Sequence, residues 1–315
     1  MYLVQRLLCI LFVIQLGLVS SAVAALQSSA QDDRSTAEQV PSGTIPSLRK
    51  VGTRGFYVLE GAFAEFDLQH AAVNIWFPNN VTHPPVMVYA HGGAGFREED
   101  QARVELFRQN GFATISFDSY EMNGFDDWQF VTRRVANSGK QKMIQGVIEG
   151  ALKFAQTHDR FDNRNITLYG GSNGGRVVLY AGSALEMSGV TAIIAEAPAA
   201  TGFELGDYDI PTLITFGELD TWAGRSDEDY VWKRTYRNSP VSVEDWITAR
   251  KRDGRPVTFQ LYPNAGHMMF EGPLEKVSVR RGDAIAFSAY RGANKEALAT
   301  YKQDVIGFAQ KHRTP

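Results

Sequence analysis

The sequence predicts an α/β fold: a mostly parallel central sheet of about eight strands with helices on both faces. Short apolar runs alternate with stretches of helical length from about residue 50 onward. Most of the later runs are continuously apolar, as strands covered on both faces must be. The chain has 315 residues, 44% hydrophobic and 21% charged, which is enough to bury the core of such a domain.

The N-terminus comes first. Arg6 is followed by LLCILFVIQLGLVSSAVAA, an apolar run closed by Ala22-Val23-Ala24 before Ala25. A positive start, a short apolar core and small residues at its end define a secretory signal peptide over 1–24. The expected destination is therefore the periplasm or the medium. A retained membrane anchor is the alternative, although the apolar core is short for a full span. Cys9 is the only cysteine and lies inside that core without small residues before it, so lipid attachment there is not expected. The processed chain would have no cysteine, which excludes disulfides, thiolate metal sites and a cysteine nucleophile. Residues 25–48, rich in Ser, Gln and Pro, form a flexible leader into the domain at 49–315. Two sequons, at Asn80 and Asn165, matter only in a eukaryotic secretory route, and the second falls on a buried strand.

Strands are expected at 55–59, 72–77, 86–90, 112–117, 166–169, 191–195, 212–216 and 257–262, with helices at 98–109, 141–157, 174–186 and 295–311. The first two strands have no helix between them and should form an antiparallel edge. Two connections are long: 119–140, with Tyr120, Phe125, Trp128 and Phe130, and 221–254, with Trp222, Trp232, Tyr236 and Trp246. Connections of that length are usually lids or binding loops, or else surface additions with a small core of their own. The net charge of −3 supplies no basic stripe, so no nucleic-acid partner is expected. No membrane contact is expected once the signal peptide is gone.

One stretch carries the chemistry. GGSNGGR (170–176) follows the run ITLY and precedes a helix. As a phosphate loop it fails, because Arg176 and Val177 stand where a Lys and a hydroxyl residue would be needed. As G-x-S-x-G it fits a nucleophile elbow, in which Ser172 occupies a strained turn and Gly170 and Gly174 leave room for the backbone. A bare structural turn is the remaining reading, so the partners decide.

A serine hydroxyl needs an adjacent base. The histidines are His70, His83, His91, His158, His267 and His312, and only the last two follow Ser172. His312 belongs to the polar end of the last helix, whereas His267 stands directly after strand 257–262 and is the expected base. The acid should leave the strand between them. GELD (217–220) offers Asp220, with Glu218 as a substitute and Glu196, at the end of strand 191–195, as a second fallback. Oxyanion donors are expected from the amides of Asn173 and of the HGGAG loop (91–95), with Gly93 favoured over Gly92 or Ala94 and His91 as a structural residue. Met268, Met269 and Phe270 either line a pocket or join the core.

HGGAG, GGSNGG, GELD and YPNAGHMMF together resemble the α/β-hydrolase superfamily, and the compact layout resembles its dienelactone hydrolase-like branch over roughly 50–312. The resemblance implies hydrolysis of ester or lactone bonds without cofactor or metal. The chain departs from that branch in carrying Ser172 where its members use cysteine, and in its leader and longer loops. Its elbow is also similar to that of prolyl oligopeptidase-type serine peptidases, whose propeller domain has no room here. The expected function is thus an exported serine hydrolase acting on a small-molecule or polymer-linked ester. A small secreted peptidase and a non-catalytic binding protein are the rivals.

Overall fold

In the computed structural model the structure describes residues 48–51, 56–59, 72–79, 81–125, 131, 135, 137–198, 207–222, 226, 228–235, 241–281 and 284–315. The expected signal peptide at 1–24, the expected leader up to residue 47, Asn80, and Trp128, Phe130 and Tyr236 of the long connections lie outside them.

The centre is a seven-stranded sheet of β3 (Val73–Trp76), β4 (Pro85–Ala90), β5 (Ala113–Phe117), β6 (Asp162–Gly171), β7 (Val190–Glu196), β8 (Thr212–Gly217) and β9 (Val257–Tyr262). Its order is β3-β5-β4-β6-β7-β8-β9, with β3 antiparallel to β5 and every other pair parallel. Every residue of β4 and β8 is buried, and so are the last seven of β6. Outermost β9 alternates between covered and solvent-facing residues.

The alternation of side chains along each strand divides the core in two. Val86, Val88, Leu168 and Ile193 face one layer, with Ile144, Ile148 and Val177 from α3 (Asn137–Thr157) and α4 (Asn173–Ala184). Met87, Tyr89, Tyr169 and Ile194 face the other, with Val104, Phe107, Tyr301 and Val305 from α1 (Glu98–Arg108) and α6 (Lys295–Lys311). Each fully buried aliphatic or aromatic side chain contributes about 1.5–3 kcal/mol relative to exposure.

The sheet departs from expectation in one respect. The strand expected at 55–59 forms β2 (Phe56–Leu59), which pairs with β1 (Leu48–Val51) in a separate antiparallel ribbon. A partner a few residues upstream closes a shorter loop than the sheet edge would, at a smaller entropic cost. The antiparallel edge strand is β3 alone.

Two of the larger features were not expected from the sequence. One is a second ribbon, β10 (Glu275–Arg281) with β11 (Ala284–Arg291), between the histidine segment and α6. The other is α5 (Val243–Arg252) inside the 221–254 connection. Ser242 caps it by accepting from the Asp245 amide while Asp245 accepts in return, a reciprocal capping box. Val231, Trp232, Val243 and Ile247 from this stretch join the main core. The first connection, 119–140, contains a short helix α2 (Ser119–Met122), and Tyr120, Val131, Val135 and Met143 make a small cluster there. Asn165 is buried in β6, its amide donating to Asp162 Oδ2 and the Thr314 carbonyl.

The topology already points to one place. From β4 the chain moves to one side of the sheet, to β5, and from β6 to the other, to β7. Ligand crevices in open α/β sheets lie outside the carboxyl ends of two such strands. The segments leaving there are HGGAG and GGSNGG.

Candidate active site

Ser172 lies between β6 and α4 with φ 52° and ψ −111°, a conformation that is strained for a residue with a side chain. Its N–H donates to the Glu196 carbonyl at 2.8 Å, and its own carbonyl accepts the first bond of α4, from Arg176 N–H, at 3.0 Å. The turn is tight enough that a β-carbon on Gly174 would overlap the Ala90 carbonyl, and one on Gly170 would overlap Gly174. Glycine at those two positions is a condition of the strand–helix contact that holds the serine up.

The imidazole of His267 reaches that serine. Its Nε2 is 3.1 Å from Ser172 Oγ, and its Nδ1 is 2.9 Å from Asp220 Oδ2. A carboxylate can only accept, so Nδ1 carries the proton and Nε2 of the neutral ring accepts from the serine hydroxyl. Asp220 is fully buried and His267 nearly so, whereas Ser172 keeps some exposure. The acid turn and the histidine segment are tied through their backbones, with Glu218 N–H donating to Tyr262 O and Leu219 N–H to Ala265 O, each at 2.9 Å. Burial alone would disfavour the imidazolium. The Asp220 carboxylate outweighs it, with help from Glu271 and Glu196, and holds His267 above the ordinary histidine value.

The HGGAG loop lies opposite. His91 is buried, and its Nε2 accepts from the Ser119 amide at 3.0 Å, so its Nδ1–H donates to the Gly92 carbonyl at 2.7 Å. Tyr120 OH donates to the Gly93 carbonyl at 3.2 Å. In a trans peptide the N–H points opposite to the carbonyl, so the Gly93 and Ala94 amides turn away from His91 and Tyr120 respectively. A β-carbon on Gly93 would stand 2.8 Å from Asn173 Nδ2, so the two donor segments approach closely. Asn173 opens α4, where first-turn amides have no partner within the helix and the dipole favours negative charge.

The five residues singled out in the sequence thus come together: Ser172, His267 and Asp220 in one hydrogen-bonded chain, with Gly93 and Asn173 beside it. Among the described residues, no group of three or more His, Cys, Asp or Glu is arranged to hold a metal ion, and no helix is long and apolar enough to cross a membrane.

No family model matches the chain, and no curated protein matches it by sequence. Solved structures do. A dienelactone hydrolase-like promiscuous phosphotriesterase from metagenomic libraries superimposes with a TM-score of 0.56 at 13% identity, over 78% of this chain and 100% of its own. A dienelactone hydrolase from Anabaena variabilis gives 0.52 at 15% identity, over 86% and 100%. A candidate dienelactone hydrolase from Klebsiella pneumoniae gives 0.55 at 14%, over 76% and 92%. The chain has the α/β-hydrolase fold.

In this hydrolase fold the fallback acids have other surroundings. Glu218 is exposed. Glu196 is fully buried and held by Arg103, whose Nε and Nη2 donate to it at 2.7 and 3.0 Å, and by Tyr169 OH at 2.9 Å. Burial alone would push its carboxyl up, but the guanidinium and the phenol donors hold it below the usual carboxylate range. Its Oε1 also accepts from the Met269 amide at 2.8 Å. Glu196 therefore fastens the histidine segment with its side chain and Ser172 with its carbonyl. The residues after His267 join the core: Met268 and Met269 are buried, and Phe270 packs against Tyr301 under the Arg103 guanidinium. The remaining histidines are elsewhere. His158 sits among Phe77, Phe154 and Phe161, His312 ends α6 against Phe308, His83 is exposed, and His70 lies outside the described residues.

Trp222, expected from the sequence only as part of a long lid or binding loop, and Phe287, not singled out there, also reach the site. The Trp222 indole stacks on His267, and Phe287 of β11 meets the indole edge-on. A signal for the ribbon exists, since alternating runs flank Gly282-Asp283, a hairpin-turn pair. Nothing local signals the stacking.

Proposed function

We propose that the chain is a serine hydrolase cleaving carboxylic ester or lactone bonds through an acyl-enzyme, exported by the signal peptide at 1–24. The observation that carries this reading is the hydrogen-bonded chain from Ser172 through His267 to Asp220, with the serine raised on a strained elbow. Ser172 Oγ attacks the ester carbonyl while His267 Nε2 takes its proton. Asp220 keeps the ring in the required tautomer and compensates the imidazolium. The amides of Asn173 and Gly93 receive the oxyanion, where each donor is worth about 10²–10³ in rate. His267 then protonates the leaving alkoxide, and a water activated by the same nitrogen releases the acid. The dienelactone hydrolase names borne by proteins of the same fold suit this bond type, and Ser172 replaces the cysteine expected of that branch.

Ser172→Ala tests the reading. Hydrolysis of p-nitrophenyl acetate should fall by on the order of 10⁴–10⁶-fold with the unfolding curve unchanged, and a fluorophosphonate should label the wild type at Ser172. Wild-type turnover by the variant would sink the serine assignment, and absence of labelling would favour a binding protein. Faster cleavage of peptide amides than of esters would favour a peptidase. The base acts only when neutral, so activity should appear as pH rises through the His267 value, with a midpoint above about 6.5. Processing before Ala25 in the exported protein would mark the signal peptide.

A further inference from the structure

Trp222 lies two residues past Asp220. Its indole is parallel to the His267 imidazole, with ring centroids 4.9 Å apart and planes 10° from parallel. Its backbone N–H donates to Asp220 Oδ1 at 3.1 Å, leaving Oδ2 for the imidazole. Two further contacts hold the residue, one at its ring and one at its backbone. Phe287 packs edge-on at 5.5 Å, and Arg234 Nη1 donates to the Trp222 carbonyl at 3.1 Å. One residue therefore touches both the acid and the base.

The two protonation states of the ring do not gain equally from this contact. Any aromatic face offers dispersion to a neutral imidazole. An imidazolium also meets the negative face of the indole, an attraction that is largest for tryptophan and effective within about 6 Å of the centroid. From the neutral base, His267 becomes an imidazolium as the serine proton transfers, and only interactions stronger in the transition state accelerate the step.

We propose that Trp222 is a positioning residue that acts through His267: it fixes the plane of the ring and selectively stabilises its protonated form. The proposal rests on reading His267 as the base. The charged groups around the ring are Asp220 after β8, Glu271 in the turn that follows the histidine, and Glu196 at the end of β7. Arg103 of α1 neutralises Glu196, and Arg291 of β11, bridged to His267 through backbone, is paired with Glu275. Trp222→Leu leaves all of these in place but removes volume as well as the π face; the lost burial would raise the midpoint, so a fall reports the loss of the π face.

The test is a titration of the His267 ring resonance by NMR in the wild type, Trp222→Phe and Trp222→Leu, beside the pH dependence of kcat/KM on p-nitrophenyl acetate. The midpoint should fall by about half to one unit in the leucine variant, with phenylalanine between. The plateau rate should fall about threefold to tenfold. An unchanged midpoint in Trp222→Leu overturns the proposal, whatever the plateau does, because a merely structural role would lower the rate without moving the titration. If Trp222→Leu does not fold, the phenylalanine variant decides: a lower midpoint supports the proposal and an equal one overturns it. A shifted NMR midpoint in a protein that cleaves no ester would support the stacking effect while sinking the proposed function, so the two failures are distinguishable.

Discussion

Two carboxylates leave the carboxyl ends of neighbouring parallel strands, Glu196 from β7 and Asp220 from β8, and both are fully buried. Their partners separate them. Glu196 accepts twice from the guanidinium of Arg103, once from Tyr169 and once from the Met269 amide. Asp220 accepts from the Trp222 amide and the His267 ring. A carboxylate facing a permanent cation is already compensated and has nothing further to give. One facing an imidazole gains a counter-charge only when the ring is protonated, which is when a proton transfer needs it. Burial and strand position do not distinguish the acid of the proposed reaction from an acid of the framework. The permanence of the partner's charge does.

The sharpest way to break this comparison is Asp220→Asn. The amide keeps the volume but cannot hold His267 in the Nδ1–H tautomer, and kcat should fall by roughly 10³–10⁴-fold, with a small change in urea unfolding. If kcat instead survives in Asp220→Asn and collapses in Glu196→Gln at equal stability, the two roles are exchanged.

Glu196→Gln should separate activity from stability in the opposite sense. It strands the Arg103 guanidinium, which is itself fully buried, and breaking such a pair costs about 3–5 kcal/mol. The protein that remains folded should keep its activity with a lower pH midpoint, because the Glu196 charge helps hold His267 up. Acid sharpens the point. A carboxyl whose folded pKa is depressed stabilises the fold above its unfolded value of about 4.5 and loses that contribution as pH falls through the folded value. The stability gap between wild type and Glu196→Gln should therefore be full near neutrality and narrow below about pH 4.5, as urea midpoints at a series of pH values would show.

The same contrast explains what the sequence revealed. Ser172, His267 and Asp220 were legible because each sits at the end of an apolar run and their chain order follows the strand order. The glycines around Ser172 have a local steric cause, and so leave a local pattern. Arg103 and Glu196 are 93 residues apart, and Trp222 and His267 are 45 apart, with no shared periodicity. Both contacts exist because helix α1 crosses the sheet and because the turn after β8 folds back on the histidine segment. The residues Val231, Trp232, Val243 and Ile247 look in sequence like the contents of a long connection, yet they complete the core. Pairing of β2 with β1 rather than with the sheet was hidden for a similar reason: β-propensity marks a strand and not its partner.

The smallest expected effect belongs to Glu218, the carboxylate two residues before Asp220. From the sequence GELD alone either acid could face the histidine. In the structure the Glu218 amide holds the turn by donating to Tyr262 O, and its side chain goes to solvent. The Asp220 amide donates back to Gly217 O and its carboxylate goes inside. Glu218→Gln removes only an exposed charge, so stability should change by less than about 0.5 kcal/mol and kcat/KM by less than about twofold. A loss comparable to that of Asp220→Asn would mean that this turn presents its other acid to His267 during turnover, and that the hydrogen bond between Asp220 and the imidazole belongs to a resting arrangement.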